Sequence, residues 1–306
     1  MSFTRLQQRA EAKRNPSVVG LDPAQGLIPP HILDAHIAAR GQTLDALADA
    51  YLEFNRGVID ALHELIPAVK PQAAYYERLG AAGVRVLKET AAYAKAKGLY
   101  VIADAKRNDI GATAAAYSDA FLGAVTVGAT EVFPFDFDAV TVNGYLGSDG
   151  LLPFLDAAKK YDKAIFVLVK TSNPSSGELQ DLDVGGRKLY EAVGDLIENL
   201  SRGALDEYGY TRVGAVVGAT YPAEMKSLRE RLAHTFFLVP GYGAQGGAAS
   251  DAAAAFDKAG RGAIVNSSRA ILGAWTKTGN DGRDYAEAAR AEALRMRGAL
   301  RAELGL

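Results

Sequence analysis

The sequence predicts a (β/α)8 barrel. Three observations carry that expectation: eight short apolar runs, helical patterns rich in alanine between most of them, and a length of 306 residues. The runs span 17–21, 68–71, 99–105, 139–143, 164–170, 213–218, 236–240 and 263–266. Most are apolar nearly throughout, as parallel strands covered on both faces must be. Helical periodicity fills 43–65, 81–97, 151–160, 187–208, 222–232 and 248–259, and 284–303 reads as a closing helix. Repeated β-then-α units on this scale favour a closed barrel over an open doubly wound sheet. No linker, repeat or low-complexity tract interrupts the pattern, so residues 1–306 read as a single domain.

Taken in order, seven of the eight runs deliver polar groups at or just past their C-terminal ends. The first ends in Asp22 and enters a long connection, about 22–42, containing Pro23, Pro29 and Pro30. The second ends at Lys70. The third runs into Asp104-Ala105-Lys106-Arg107-Asn108-Asp109-Ile110, followed by a helix-forming alanine run from Gly111. Asn143 ends the fourth. Thr171 and Ser172 end the fifth and open a second long loop, about 171–186. The seventh is followed by Pro240-Gly241-Tyr242-Gly243-Ala244-Gln245-Gly246-Gly247, and the eighth by Asn266-Ser267-Ser268-Arg269. Long loops in compact domains are usually functional. Both long loops here follow strands, which places them on the face where barrel active sites form.

Composition narrows the chemistry. Hydrophobic residues make up 49% and charged residues 23%, with a net charge of −2 and no long basic run. That pattern lacks the electrostatic footprint of a nucleic-acid or anionic-membrane binder. With no cysteine, disulfides, thiolate chemistry and cysteine-ligated metal sites are excluded. A cytoplasmic location fits, the first ten residues being polar and unlike a signal peptide. His31, His36, His63 and His234 make no metal-type pair, and the first two read as surface residues. Trp275 reads as packing behind the eighth strand, and Tyr75 and Tyr76 as divided between rim and core.

The most informative stretch is Asp104-x-Lys106-x-x-Asp109. Asp104 and Lys106 are two apart, so a continuing strand points both side chains to one face. The pattern predicts a lysine held between carboxylates at the mouth of a strand. Carboxylates beside a lysine favour its ammonium form, ready to donate a proton. As a bare string it is also compatible with a solvated turn; its place between an apolar run and an alanine-rich helix favours function. The segments after strands seven and eight make a second sub-site. Glycines at 241, 243, 246 and 247 permit positive φ and close backbone approach. Ser267 or Ser268 can cap a short helix, and Arg269 adds a cation, at the usual phosphate site of this architecture. The glycine spacing matches neither a dinucleotide fingerprint nor a P-loop.

Together these residues resemble the orotidine 5′-phosphate decarboxylase family. Val19-Gly20-Leu21-Asp22, Lys70, the Asp104/Lys106/Asp109-Ile110 motif with Thr113 one turn on, Thr171-Ser172-Asn173-Pro174, the Gly241–Gly247 segment with Gln245, and Arg269 carry the likeness over nearly the whole chain. The loops Lys70-Pro71-Gln72 and Asn143-Gly144-Tyr145-Leu146-Gly147-Ser148-Asp149 are similar to the longer bacterial subgroup (type 2), with Gly144 where that subgroup has proline.

The resemblance implies decarboxylation of orotidine 5′-phosphate to uridine 5′-phosphate, the last step of pyrimidine-nucleotide synthesis, without metal or other cofactor. It implies that Lys106 protonates C6, that Asp104 sits beside the substrate carboxylate, and that Lys70 holds Asp104 and a ribose hydroxyl. It further implies that Asp22 accepts from the ribose, Ser172 binds the pyrimidine amide edge, and Gln245 and Arg269 clamp the phosphate. Asp109 and Thr113 would reach the neighbouring subunit's site in a homodimer. Two alternatives stay open. One is a Mg²⁺-dependent sugar-phosphate decarboxylase or aldolase of the same suprafamily, whose acidic ligand would stand where Lys70 does. The other is a non-catalytic barrel that binds phosphate ligands.

Overall fold

The computed structural model describes residues 1–203, 205–243 and 246–306. Its centre is a closed barrel of eight parallel strands: Ser17–Leu21, Ala68–Pro71, Tyr100–Arg107, Ala139–Val142, Ala164–Lys170, Val213–Val217, Phe237–Val239 and Ala263–Ser267. Each strand pairs with its sequence neighbours, and the first closes on the eighth through Ser17–Val265 and its successors. All eight expected runs are strands, and their ends move by at most two residues.

The reason the runs read as apolar throughout is visible in the burial. Val18, Ala68, Tyr100, Ile102, Ala139, Ala164, Phe166, Val216, Leu238 and Ile264 fill the barrel interior. Their neighbours Val19, Val69, Val101, Ala103, Val140, Ile165, Val167 and Val265 pack outward against the helices. Both sides of the strands are therefore dry away from the rim, and the period of two is concealed.

Several elements differ from expectation. The polar N-terminus forms a helix, Ser2–Lys13, not anticipated by pattern because only Phe3, Leu6 and Ala10 mark its buried side. Phe3 plugs the barrel's lower end, with its ring centroid 4.8 Å from that of Phe166 and 5.0 Å from that of Phe236. The connection 22–42 contains a 3₁₀ turn, Gln25–Leu27, and a helix, Pro30–Arg40. Proline at the first helical position is compatible with starting a helix. Trp275 ties this connection down by donating from Nε1 to the Leu27 carbonyl at 3.0 Å. A hairpin, Val125–Val127 with Thr130–Val132, precedes the fourth barrel strand, where the sequence pattern marks no element. The expected helices at 187–208 and 248–259 shorten to Leu189–Leu200 and Ala249–Ala253. The helix at 43–65 is Leu44–Leu62, capped by the Thr43 side chain on the Ala46 N–H at 3.1 Å. The alanine run after Asp109 is the helix Gly111–Phe121. Tyr76 is buried and Tyr75 half-buried, and His36 pairs at the surface with Glu53 at 2.8 Å.

Candidate active site

Strand alternation carries interior positions up to the rim. Two residues beyond Ala68 stands Lys70, beyond Ile102 Asp104, beyond Ala139 Thr141, and beyond Ile264 Asn266. All four side chains line a cavity of about 480 Å³ at the C-terminal mouth, a size suited to a small ligand. Asp22, Lys106, Ser172 and Arg269 line it as well.

The charged centre is built on Asp104. Lys70 Nζ donates to its Oδ2 at 2.6 Å, and Lys106 Nζ to its Oδ1 at 2.5 Å. Burial alone would push the Asp104 carboxyl upward; the ammonium groups of Lys70 and Lys106 outweigh it and hold the acid well below the usual carboxylate range. Burial would likewise push Lys70 down, but Asp104 first and then Asp22 more than offset it, so its pKa lies above the ordinary lysine value. Asp104 is therefore a carboxylate, and Lys70 an ammonium, throughout the physiological range.

The expected lysine between two carboxylates is not what this chain forms. The order among the described residues is lysine–carboxylate–lysine. Asp109 accepts from the Ile110 N–H at 2.8 Å, Thr113 is exposed on the helix Gly111–Phe121, and neither lines the cavity. The strand also does not simply continue from Asp104 to Lys106. Ala103 pairs with Val140 and Arg107 with Val142, so the third strand bulges, and Lys106 takes φ 49°. A left-handed conformation costs a side-chain-bearing residue about 1–2 kcal/mol. Bulges of this kind re-aim side chains beside active sites.

Ser172 lines the cavity next to Thr171 and Asn173. Its close seat depends on Gly218, where an added Cβ would lie 2.8 Å from Ser172 Cα and 2.9 Å from its backbone nitrogen. The loop beyond folds back on itself. Gln180 Oε1 accepts from the Thr171 N–H at 2.9 Å, and the fully buried Lys170 pairs with Asp181 at 2.6 Å. On the opposite rim, Gly241, Gly243 and Gly246 all have positive φ. Gly247 does not, but a Cβ there would meet Ala219 Cβ at 2.8 Å. Ser268 stands at the N-cap of the short helix Arg269–Leu272 without capping it, and Arg269 has no acidic partner among the described residues. Gln245 lies outside the described residues. Asp22 Oδ1 and Asn266 Oδ1 are buried acceptors with no hydrogen-bond partner among the described residues. Buried polar atoms ordinarily find partners, so these two are suited to ligand hydroxyl or amide groups.

Thr141, Asn266 and Gln180 had no assigned role at the level of sequence. For the first two, a signal existed: each stands two residues past an interior strand position. Gln180 left none, because its place depends on how the loop folds.

Fold and site define a (β/α)8 barrel with a lysine–carboxylate–lysine centre at its C-terminal mouth and, at the rim, an arginine with no acidic partner among the described residues. Residues 53–280 match the orotidine 5′-phosphate decarboxylase / HUMPS family, and the chain belongs to it. It is similar to the orotidine 5′-phosphate decarboxylase of Rhodopirellula baltica, with 45% identity over 97% of this chain and 98% of that one. The enzyme of the same name from Caldicellulosiruptor saccharolyticus is 40% identical over 89% of each chain. Among solved structures, Leishmania donovani OMP decarboxylase is similar with a TM-score of 0.71 and 34% identity, covering 97% of this chain and 99% of that one. No helix among the described residues is long and apolar enough to cross a membrane.

Proposed function

We propose that the protein converts orotidine 5′-phosphate to uridine 5′-phosphate and carbon dioxide, without a metal or other cofactor, as the closing step of pyrimidine-nucleotide synthesis in the cytoplasm. The observation that carries the reading is Lys106 Nζ held 2.5 Å from an ionised Asp104 inside the cavity. As the C6–carboxylate bond breaks, its electron pair stays on C6 and carbon dioxide departs. The Lys106 ammonium stabilises that developing charge and then gives its proton to C6, forming the new C–H bond. The neutral amine regains a proton from water. Asp104 lies beside the departing carboxylate and fixes both lysines. Asp22 accepts from the ribose, Lys70 steadies a ribose hydroxyl, Ser172 takes the pyrimidine amide edge, and Gln245 and Arg269 hold the phosphate. Phosphate contacts remote from C6 supply binding energy that assembles the site.

The resemblance leaves open a sister family of sugar-phosphate enzymes that use Mg²⁺. Lys70 favours the decarboxylase reading over that one. It is buried, positively charged and bonded to Asp104, at the place where a metal-dependent relative needs an acid. Loss of orotidine 5′-phosphate ultraviolet absorbance is expected to proceed unchanged after exhaustive chelation. Activity that stops with chelator and returns with Mg²⁺ would transfer the protein to the sugar-phosphate branch. No turnover under either condition would leave a binding barrel.

Arg269→Ala should weaken binding of uridine 5′-phosphate far more than binding of uridine. A hydrogen bond to a charged group contributes about 1.5–3 kcal/mol, which corresponds to roughly a tenfold to hundredfold change in affinity. Calorimetric titration with both ligands measures this, and equal losses for the two would remove Arg269 from the phosphate site.

We further propose that residues 1–306 form one barrel unit that works as a homodimer with shared sites. The placement of Asp109 and Thr113 outside their own chain's cavity supports this.

A further inference from the structure

The bulge that aims Lys106 leaves a gap in the barrel ladder. Four steps along the third strand, from Ala103 to Arg107, face only two on the fourth, from Val140 to Val142. The residue opposite the gap is Thr141, almost fully buried at 1% exposure. Its Oγ1 accepts from the Lys106 backbone N–H at 3.0 Å and lies 3.1 Å from Asp104 Oδ1, to which it donates. The Ala103 carbonyl, at 3.5 Å, is a poorer acceptor for the same hydrogen. A hydroxyl has one hydrogen to give and lone pairs to accept with, and Thr141 spends both on the reacting pair.

From this geometry we infer that Thr141 is a positioning residue for decarboxylation: it pins the Lys106 backbone in its left-handed conformation and orients the Asp104 oxygen that Lys106 grips. It touches no reacting atom. One group thus fixes the lysine at both ends, at its N–H directly and at its ammonium through Asp104. Valine has nearly the same shape but can do neither. Without the hydroxyl the Lys106 N–H is left without its partner, the bulge relaxes, and the ammonium drifts from the site of the developing charge. Misplacement of a reacting group by about 1 Å can cost about a hundredfold in rate.

The inference rests on the proposed decarboxylation, and the test separates the two. Wild type, Thr141→Val, Thr141→Ala and Thr141→Ser are assayed on orotidine 5′-phosphate, with kcat scored per folded molecule by circular dichroism. Valine and alanine should lower kcat about 10- to 100-fold with KM within about threefold of wild type, the pattern of an interaction that serves the transition state. Serine, which keeps the hydroxyl, should recover most of the loss. A kcat within about twofold of wild type for valine and alanine would overturn the role, as would serine performing no better than valine. If neither hydroxyl-free variant folds, Thr141 serves the fold and the positioning role fails. An active wild type with undisturbed variants defeats this inference alone; an inactive wild type defeats it together with the decarboxylase reading.

Discussion

Lys106→Ala is expected to abolish decarboxylation and leave the fold intact. Two separate effects vanish with the side chain. General-acid delivery of a proton contributes about 10²–10⁴-fold, and a fixed charge at the site of a developing anion about 10²–10³-fold. The expected loss in kcat is therefore at least about 10⁴-fold, or about 5 kcal/mol of barrier. The side chain is 45% exposed and, among the described residues, pairs only with Asp104, which keeps Lys70 as a partner in the variant. No buried charge is stranded, so the thermal transition should move little. The left-handed backbone at 106 persists as a modest burden for alanine as it was for lysine. Turnover near the wild-type rate would show that the proton comes from elsewhere.

The second large effect is recovery of activity by mixing two dead proteins. Lys106→Ala and Asp109→Ala should each be inactive alone. In the shared-site arrangement, Asp104 and Lys106 serve their own chain's cavity while Asp109 serves the neighbour's. A mixed dimer then holds one site with both lesions and one with neither. Random exchange of equal amounts makes half of the dimers mixed, so about a quarter of all sites should be intact by two-fold symmetry. Mass spectrometry first establishes that subunits have exchanged. Mixed dimers with no more activity than the parents would mean that Asp109 acts within its own chain.

The barrel was legible because its strands are short, apolar on both faces and regularly spaced. The helix Ser2–Lys13 was not, because a plug for the barrel floor needs few apolar side chains and is otherwise polar. Within the site, Lys70 and Asp104 could be placed from strand alternation alone. Lys106 could be placed at the mouth but not in its conformation, since nothing local announces a bulge whose need arises from the neighbouring strand. The pairing of Lys106 with a second acid could not be judged from spacing. Two residues separate Lys106 from Asp109, and the turn between them carries the acid away from its own cavity. The glycines after strand seven were readable as left-handed positions, and three of the four are. Lys170, the last residue of the fifth strand, has no sequence signal for its partner. A register irregularity between Leu168 and Lys170 turns it to Asp181, where it closes the loop behind Ser172.

Whether Lys106 moves a proton at C6 can be tested without decarboxylation. By microscopic reversibility, a group that protonates C6 also removes that proton from the product. Incubating the protein with uridine 5′-phosphate in deuterium oxide and following the C6 proton by NMR measures this. The wild-type protein should exchange it for deuterium and Lys106→Ala should leave it in place. Exchange by the variant at the wild-type rate would contradict the assignment.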